Sequence, residues 1–509
     1  MLRKMTDNPK DTSQHILLSY VLAVLSGILL AVPFCNGSLW VMSWCGFVPL
    51  FFAWENKTRL QRFTISYVAG FTFFSCVLYW LIHVTLIGQI ILVCYLSLYF
   101  GVFGMYANLK KKGFPESLLF LVPSIWVVLE FLRSILLTGF GWASMGYAQY
   151  KNIFMIQTAD IGGVFIVSFL IVMANVALFV VLSRHRRRED RLLTGIIAYV
   201  FIVVACTYGW VRLGSPIESE RSLTLSVVQG NIPQEAKWEA RARSYILEQY
   251  LYLTQEAARD NPELIIWPES SIPEIVEEDS FIFDAIADMA REISIPMLVG
   301  AITVEGNALY NSALLISSQG RVIKKYDKLH LVPFGEYIPL KKLFAFVANI
   351  APAPIGDFQF GSNYSVFSLG DTQEKFAVLI CFEDVFPYLA RGFAQRGAQV
   401  LVNITNDAWF RETTAPYQHM QASVFRAIEN RRPVVRAANT GVSCAIDVYG
   451  RITSRVTDSS GKKDISVSGY QTDTVHLSNV RTTLYTRYGD IFVFCCGIFV
   501  IIGVLKKRI

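Results

Sequence analysis

The chain is poor in charge. Of its 509 residues only 17% are charged, while 53% are hydrophobic and the mean hydropathy is +0.41. A soluble chain of this length carries more charge, so much of this one is solvated by lipid. A groove-like basic stripe is also missing. The net charge is +6, but many of the basic residues sit in short clusters beside apolar runs, as topology signals do; this argues against a nucleic-acid partner. No CxxC pair and no histidine cluster occurs, so neither a metal nor another cofactor is expected. There are nine cysteines without even spacing, so disulfides are not the scaffold. Repeats and low-complexity tracts are absent. No small-residue cleavage site follows the first apolar run, which therefore reads as a retained helix.

What the chain has instead is a series of apolar runs. Candidate membrane helices cover 16–34, 38–54, 64–84, 87–108, 117–137, 162–183, 194–212 and 490–505, most of them close to the roughly 20 residues needed to span a bilayer. The loops between them alternate in charge. Lys57, Arg59 and Arg62, then Lys110, Lys111 and Lys112, then Arg184, Arg186, Arg187, Arg188 and Arg191 follow the second, fourth and sixth runs. The loops after the first and third runs are uncharged, and the loop after the fifth carries only Lys151 and Asp160. The positive-inside rule places the basic loops and the N-terminus in the cytoplasm. This organisation predicts a membrane domain over 1–212 with seven transmembrane helices, an external domain over 213–489 and a last transmembrane helix over 490–509. Glu130 and Arg133 stand out within the fifth run. They share one helix face and read as a paired i,i+3 couple rather than a substrate site. The loop 138–147 is rich in glycine and aromatics and reads as a re-entrant or lid segment, or as an ordinary connection with belt aromatics.

The external region alternates strand and helix patterns, which predicts an α/β layered domain. Strands are expected at 222–231, 263–269, 296–304, 312–317, 376–382, 398–403 and 442–448. Helices are expected at 234–259, 281–293 and 416–430, with a shorter one after Pro387.

Three strands in this region end on reactive residues: Glu269 after Ile265-Ile-Trp-Pro, Lys328 after Lys324-Lys-Tyr-Asp, and Cys381 after Ala377-Val-Leu-Ile. A carboxylate, an ammonium and a thiol at strand ends are the parts of a covalent acyl-transfer site: base, oxyanion partner and nucleophile. A neutral thiol needs a base to become thiolate, and burial beside Trp267 is expected to raise the Glu269 pKa toward that task. Phe382-Glu-Asp-Val-Phe-Pro387 turns toward a helix, forming an elbow that exposes Cys381 and aims backbone N–H groups at an oxyanion. Glu336, eight residues past Lys328, can hold that lysine or a substrate amine. Taken singly, each has a plainer reading: a core cysteine, a capping glutamate, a solvated edge lysine. Cys444, in a strand-like run without a local acid or base, reads as a buried thiol.

Trp267-Pro-Glu269, Lys325-Tyr-Asp-Lys-Leu-His-Leu-Val-Pro-Phe-Gly-Glu-Tyr337 and Ile380-Cys-Phe-Glu383 resemble the three signature segments of the nitrilase superfamily, with its Glu-Lys-Cys triad. Val228-Gln-Gly-Asn-Ile-Pro-Gln234 with Trp238, Asn403-Ile-Thr-Asn-Asp-Ala-Trp-Phe410, Gln418-His-Met420 and Thr483-Leu-Tyr-Thr-Arg-Tyr-Gly-Asp490 narrow the likeness. Together with the spans, they resemble its membrane-anchored branch, the apolipoprotein N-acyltransferase family, over essentially the whole chain. The resemblance implies a polytopic helical membrane domain carrying a nitrilase-like αββα sandwich on the periplasmic side of the bacterial inner membrane. It implies Glu269 as general base, Lys328 as oxyanion stabiliser and Cys381 as nucleophile, with Glu336, Trp238, Glu383 and Trp409 supporting them or binding substrate. It implies a phospholipid acyl donor and a diacylglyceryl apolipoprotein acceptor. Phe382 departs from the tyrosine often found after the nucleophile, so no hydroxyl is available there. A membrane-tethered carbon–nitrogen hydrolase is the alternative. A transporter with an idle domain would show ionisable pairs across several spans, and only Glu130 and Arg133 suggest one.

Overall fold

The computed structural model describes residues 9–107, 116–216, 218–237, 239–272, 275–276, 280–339, 357–369, 374–478, 480 and 482–505. Five helices among them are long and apolar enough to cross a membrane: His15–Cys35, Leu86–Tyr106, Leu118–Thr138, Val164–Leu182 and Arg188–Gly214. The helix Arg59–Val77 packs between the first and fourth runs but opens with Arg59 and Arg62. Arg62 is buried, and its guanidinium bonds the carbonyl of Ala107 at 3.0 Å. The run at 38–54 is not one helix. It is a 3-10 helix, Gly37–Trp44, a turn, and a short helix, Val48–Ala53. Asn36 caps its start by accepting from the Ser38 N–H, and Pro49 sits in the first turn of the second piece, where a missing N–H costs nothing. The segment still runs back along the first helix: Ser26 donates to the Gly46 carbonyl at 2.6 Å, and Lys57 reaches the His15 carbonyl. The last apolar helix, Ile491–Leu505, has 15 residues, which is about 22 Å of rise.

The region beyond the membrane helices is built on two six-stranded sheets. The strands are β1 (Glu218–Gln229), β2 (Leu264–Ile266), β3 (Met297–Glu305), β4 (Ala308–Ile316), β5 (Val322–Asp327), β6 (Val366–Ser368), β7 (Lys375–Ile380), β8 (Val400–Thr405), β9 (Val434–Ala438), β10 (Cys444–Ile446), β11 (Ile452–Arg455) and β12 (Gly469–Ser478). One sheet has the order β12-β1-β2-β3-β4-β5 and the other β11-β10-β9-β8-β7-β6. In each, three central strands run parallel: β1-β2-β3 and β7-β8-β9. Such strands are covered on both faces and read as continuous apolar runs; β8 is buried at every position. Leu225, Leu264, Ile266 and Leu298 face the second sheet in one core, while Val228, Ile265, Met297 and Val299 pack under the helices Arg243–Ala258 and Ser280–Ile293 in another. The helices Pro387–Gln395 and Ala415–Asn430 cover the outer face of the second sheet. This is the expected αββα sandwich.

Every expected strand is present. Expectation missed β6, β9, β11 and β12. β9 is interrupted by Arg436, and β12 alternates polar residues because one face is wet. The helix expected from 234 begins only at Arg243; residues 234–237 form a turn that buries Lys237.

The Ala415–Asn430 helix also faces the membrane helices, and the seam is polar and buried. Gln418 accepts from the indole N–H of Trp80 and of Trp142 and donates to the Val77 carbonyl. Glu429 accepts from the Val164 N–H at 2.9 Å, at the start of a membrane helix, where a carboxylate meets the helix dipole favourably. Arg431 ends the Ala415–Asn430 helix in a left-handed conformation (φ 49°). It binds Asp160 Oδ2 at 2.7 Å and Gln157 Oε1 at 2.6 Å. Asp160 also pairs with Arg212 at 2.8 Å.

Removing one member of a buried charge network leaves its partners uncompensated, typically at about 3–5 kcal/mol. Asp160→Leu is therefore expected to lower the thermal unfolding midpoint of the detergent-solubilised protein markedly. Adding Arg431→Met should restore part of the loss. A midpoint for Asp160→Leu equal to that of the parent would remove the seam from the protein's stability.

Candidate active site

The ends of β2, β5, β7 and β8 converge, as ligand sites do at the carboxyl ends of parallel strands. Pro268 stops the chain after β2 and sets Glu269 in place. Glu269 Oε1 accepts from the Lys328 ammonium at 3.2 Å and from Asn311 Nδ2 at 2.8 Å, and Oε2 accepts from the Asn406 N–H at 3.0 Å. Glu336 Oε1 takes the same two donors, Lys328 at 2.9 Å and Asn311 at 2.7 Å. Its Oε2 accepts from the Val332 N–H at 2.6 Å, which fixes the loop that carries it. Lys328 is 1% exposed and lies between two carboxylates. Burial works against its charge, but Glu269 and Glu336 outweigh burial and hold the ammonium above the ordinary lysine range.

Cys381 opens the 3-10 helix Cys381–Val385 directly after β7, with φ at +53°. A non-glycine residue in that region is strained and is held only by its surroundings. The elbow expected from sequence is thus present. The thiol is buried beside the Glu269 carboxylate, and each shifts the proton affinity of the other. Burial pushes the thiol well above its ordinary pKa, Glu269 adds to this, and Lys328 opposes it. At rest the proton therefore sits on sulfur. For Glu269 the sequence expectation is overturned. Burial does push its carboxyl up, but Lys328, the Asn311 hydrogen bond and Lys237 more than cancel that, and the pKa lies below the ordinary value. Glu269 is an ionised acceptor waiting beside a neutral thiol.

Glu383, fully buried, ties two of the segments together. It accepts from the Leu329 and His330 N–H groups at 2.6 and 3.0 Å, from Ile380 N–H at 2.7 Å, and from the Tyr326 hydroxyl at 2.9 Å. It thereby fixes the residue before the thiol and the two after the ammonium. Trp409 sits on the 3-10 helix Asp407–Phe410 after β8, and 42% of its surface is exposed. Trp238 lies outside the described residues. Cys444 is buried in β10, and burial pushes its thiol up to about 11, as the inert reading expects.

Sequence reasoning gave no role to four contributors, two of which, Asn406 and His419, lie in segments it quoted. Asn311 is a polar residue inside the apolar strand β4, and that break was the available signal. Lys237 is 2% exposed and donates to the Glu269 carbonyl at 3.1 Å. Burial pulls its ammonium down to about 8, against Glu269 and Cys381. Asn406 gives Glu269 its backbone N–H, while its side-chain amide donates to Gln234 and accepts from Asn439. His419 lies behind Cys381, bonded to Asp384 and Asp407. The loop 138–147 reaches this region too. Arg133 holds the Trp142 carbonyl at 2.6 Å, and Glu130 accepts from the Met145 N–H at 2.6 Å. The Trp142 ring lies 5.3 Å from His419 and stacks with Phe382 at 6.3 Å. The charged pair of the fifth run thus shapes a buried wedge against the elbow.

Glu383→Gln turns an amide N–H₂ toward backbone donors. An unsatisfied buried donor costs about 1–3 kcal/mol, so the unfolding midpoint should fall while membrane insertion persists. Alkylation of Cys381 should slow as its elbow loosens. Unchanged midpoint and alkylation rate would show that Glu383 does not hold the elbow.

The family model for Carbon-nitrogen hydrolase matches residues 224–478, and that for the Apolipoprotein N-acyltransferase N-terminal domain matches residues 26–177. An apolipoprotein N-acyltransferase of Geobacter metallireducens is 38% identical over 498 residues, covering 94% of this chain and 93% of the relative. One from Allorhizobium ampelinum is 32% identical, covering 79% and 78%. Among solved structures, an amidase from Nesterenkonia sp. is 18% identical and covers 55% of this chain and 98% of its own, with a TM-score of 0.39. The chain belongs to the apolipoprotein N-acyltransferase family.

Proposed function

We propose that Cys381, Glu269 and Lys328 carry acyl transfer from a phospholipid, through a Cys381 thioester, to the α-amine of a diacylglyceryl-cysteine at a lipoprotein N-terminus. The observation that carries this reading is the buried ammonium of Lys328 held between the Glu269 and Glu336 carboxylates, with the Cys381 thiol beside Glu269. In the first half-reaction, Glu269 takes the thiol proton as sulfur attacks the ester carbonyl. Lys328 faces the oxyanion, where one such contact is typically worth about 100- to 1000-fold in rate. Collapse breaks the ester C–O bond, and the leaving lysophospholipid oxygen takes the proton back from Glu269. In the second, the amine attacks the thioester, Glu269 accepts an amine proton, the C–S bond breaks and Cys381 recovers its proton. A buried thioester is shielded from water, and both lipid substrates are concentrated at the bilayer.

In this reading the enzyme lies in the bacterial inner membrane, with the sandwich in the periplasm. The support is charge: the loops at 55–62, 110–112 and 184–191 are basic and those between them are nearly uncharged. Seven crossings, with Gly37–Ala53 counted as the second, bring the chain outside before 213, and the helix from Ile491 returns it. Membrane, external and closing segments are set at 1–212, 213–489 and 490–509.

Incubation with phospholipid and no acceptor should add one acyl mass to Cys381, read by intact mass. Cys381→Ala should remain folded and unloaded and lose transfer. Loading elsewhere, or transfer by Cys381→Ala near the parental rate, would end the covalent reading. Glu269→Gln and Lys328→Met should also fail to load.

A reporter fused near residue 187 should report cytoplasm, and one near residue 460 periplasm. The reverse signals would invert the topology and the substrate assignment.

A further inference from the structure

Behind the nucleophile lies a buried ionic cluster that the reaction above does not use. His419 is 1% exposed. Its Nδ1 lies 2.9 Å from Asp407 Oδ1, and its Nε2 lies 2.8 Å from Asp384 Oδ1 and 3.2 Å from the Cys381 carbonyl oxygen. All of these partners are acceptors, so both ring nitrogens must donate, and the ring carries two protons. Burial opposes that charge, but Asp384 and Asp407 hold the imidazolium up to about 9, with Arg436 working against it. Arg436 balances the second aspartate charge, at 2.7 Å from Asp384 Oδ2. The Cys381 carbonyl takes a further donor, Asn403 Nδ2, at 3.1 Å. Two donors therefore reach one peptide oxygen at a strained residue: the Asn403 amide and the charged Nε2–H, which that oxygen shares with Asp384.

The Cys381 carbonyl and the Phe382 N–H belong to one planar trans unit, so fixing the first fixes the second, pointing the opposite way. Phe382 stands in the first turn of the 3-10 helix Cys381–Val385, where N–H groups lack an intrahelical acceptor. We propose that His419 is a positioning residue for the oxyanion step: with Asn403 it clamps the Cys381 carbonyl and so aims the Phe382 N–H at the acyl oxygen that Lys328 also faces. This rests on the proposed role of Cys381. Trp142 lies against the ring of His419, so the membrane wedge backs the same clamp.

The test separates oxyanion support from thiol reactivity. Full-length protein in detergent is loaded from phosphatidylethanolamine micelles without acceptor, and acyl-Cys381 is followed by intact mass. In parallel, Cys381 is alkylated with iodoacetamide, a displacement at carbon that forms no oxyanion. His419→Gln removes the charge and one donor. It should slow loading about 30- to 100-fold, with the half-saturating phospholipid concentration unchanged, while alkylation stays within about threefold. Asn403→Ser, which removes the other clamp, should shift the loading-to-alkylation ratio in the same direction and serves if His419→Gln does not fold. A ratio at the parental value in the folded variants, or loading and alkylation falling together, overturns the proposal. If the parent forms no acyl-Cys381, the proposed reaction itself fails and the clamp with it.

Discussion

The site depends on a buried ammonium that cannot stand alone. Lys328 is removed from water, and its charge survives only because Glu269 and Glu336 meet it. An unpaired charge in such a place costs several kcal/mol. That cost ties together the end of β2, the end of β5 and the loop carrying Glu336. Asn311 reinforces the constraint by donating one amide group to both carboxylates. Once the ammonium is fixed, Glu269 is held ionised and the thiol faces an acceptor it has not yet protonated. In the proposed reaction one proton passes from thiol to carboxylate, with the compensating charge already in place.

Much of this was legible in the residues. The apolar runs gave away strands β1, β2, β3, β7 and β8, because parallel strands buried on both faces leave no polar alternation to confuse the reading. Glu269 and Cys381 were singled out because each follows such a run; Lys328 follows β5, an antiparallel edge strand whose first half is exposed. Glu383 was named only through the family resemblance, and its role needed three dimensions: it bonds residues from two segments more than fifty positions apart. The ionisation of Glu269 was misread. Trp267 suggested desolvation, whereas Lys328, Asn311 and Lys237, all distant in sequence, outweigh it. Asn406 stood in a quoted segment without a role, since it meets Glu269 through a backbone N–H that every non-proline residue has.

The membrane part was legible by hydropathy where helices are long, and less so at 37–53. There Asn36, Gly37, Gly46 and Pro49 break one run into a 3-10 helix and a short α-helix. Glu130 and Arg133 looked like a self-contained pair. Instead each is spent on the backbone of the wedge that carries Trp142, which converts two costly charges into the shape of a loop.

The position of Asp160 in the chain carries a consequence for how the protein is assembled. Its first counter-ion, Arg212, is 52 residues away on the second long helix after it; its second, Arg431, is 271 residues away. During synthesis the membrane helices are complete long before the Ala415–Asn430 helix exists. Arg212 keeps Asp160 neutralised through that interval, so the half-made protein does not leave a bare carboxylate at the edge of the lipid. When Arg431 arrives, it enters a socket already shaped by Asp160 and Gln157. The sandwich is then recognised by its membrane cradle through charge as well as through fit, and a foreign sandwich without that arginine would lack this recognition.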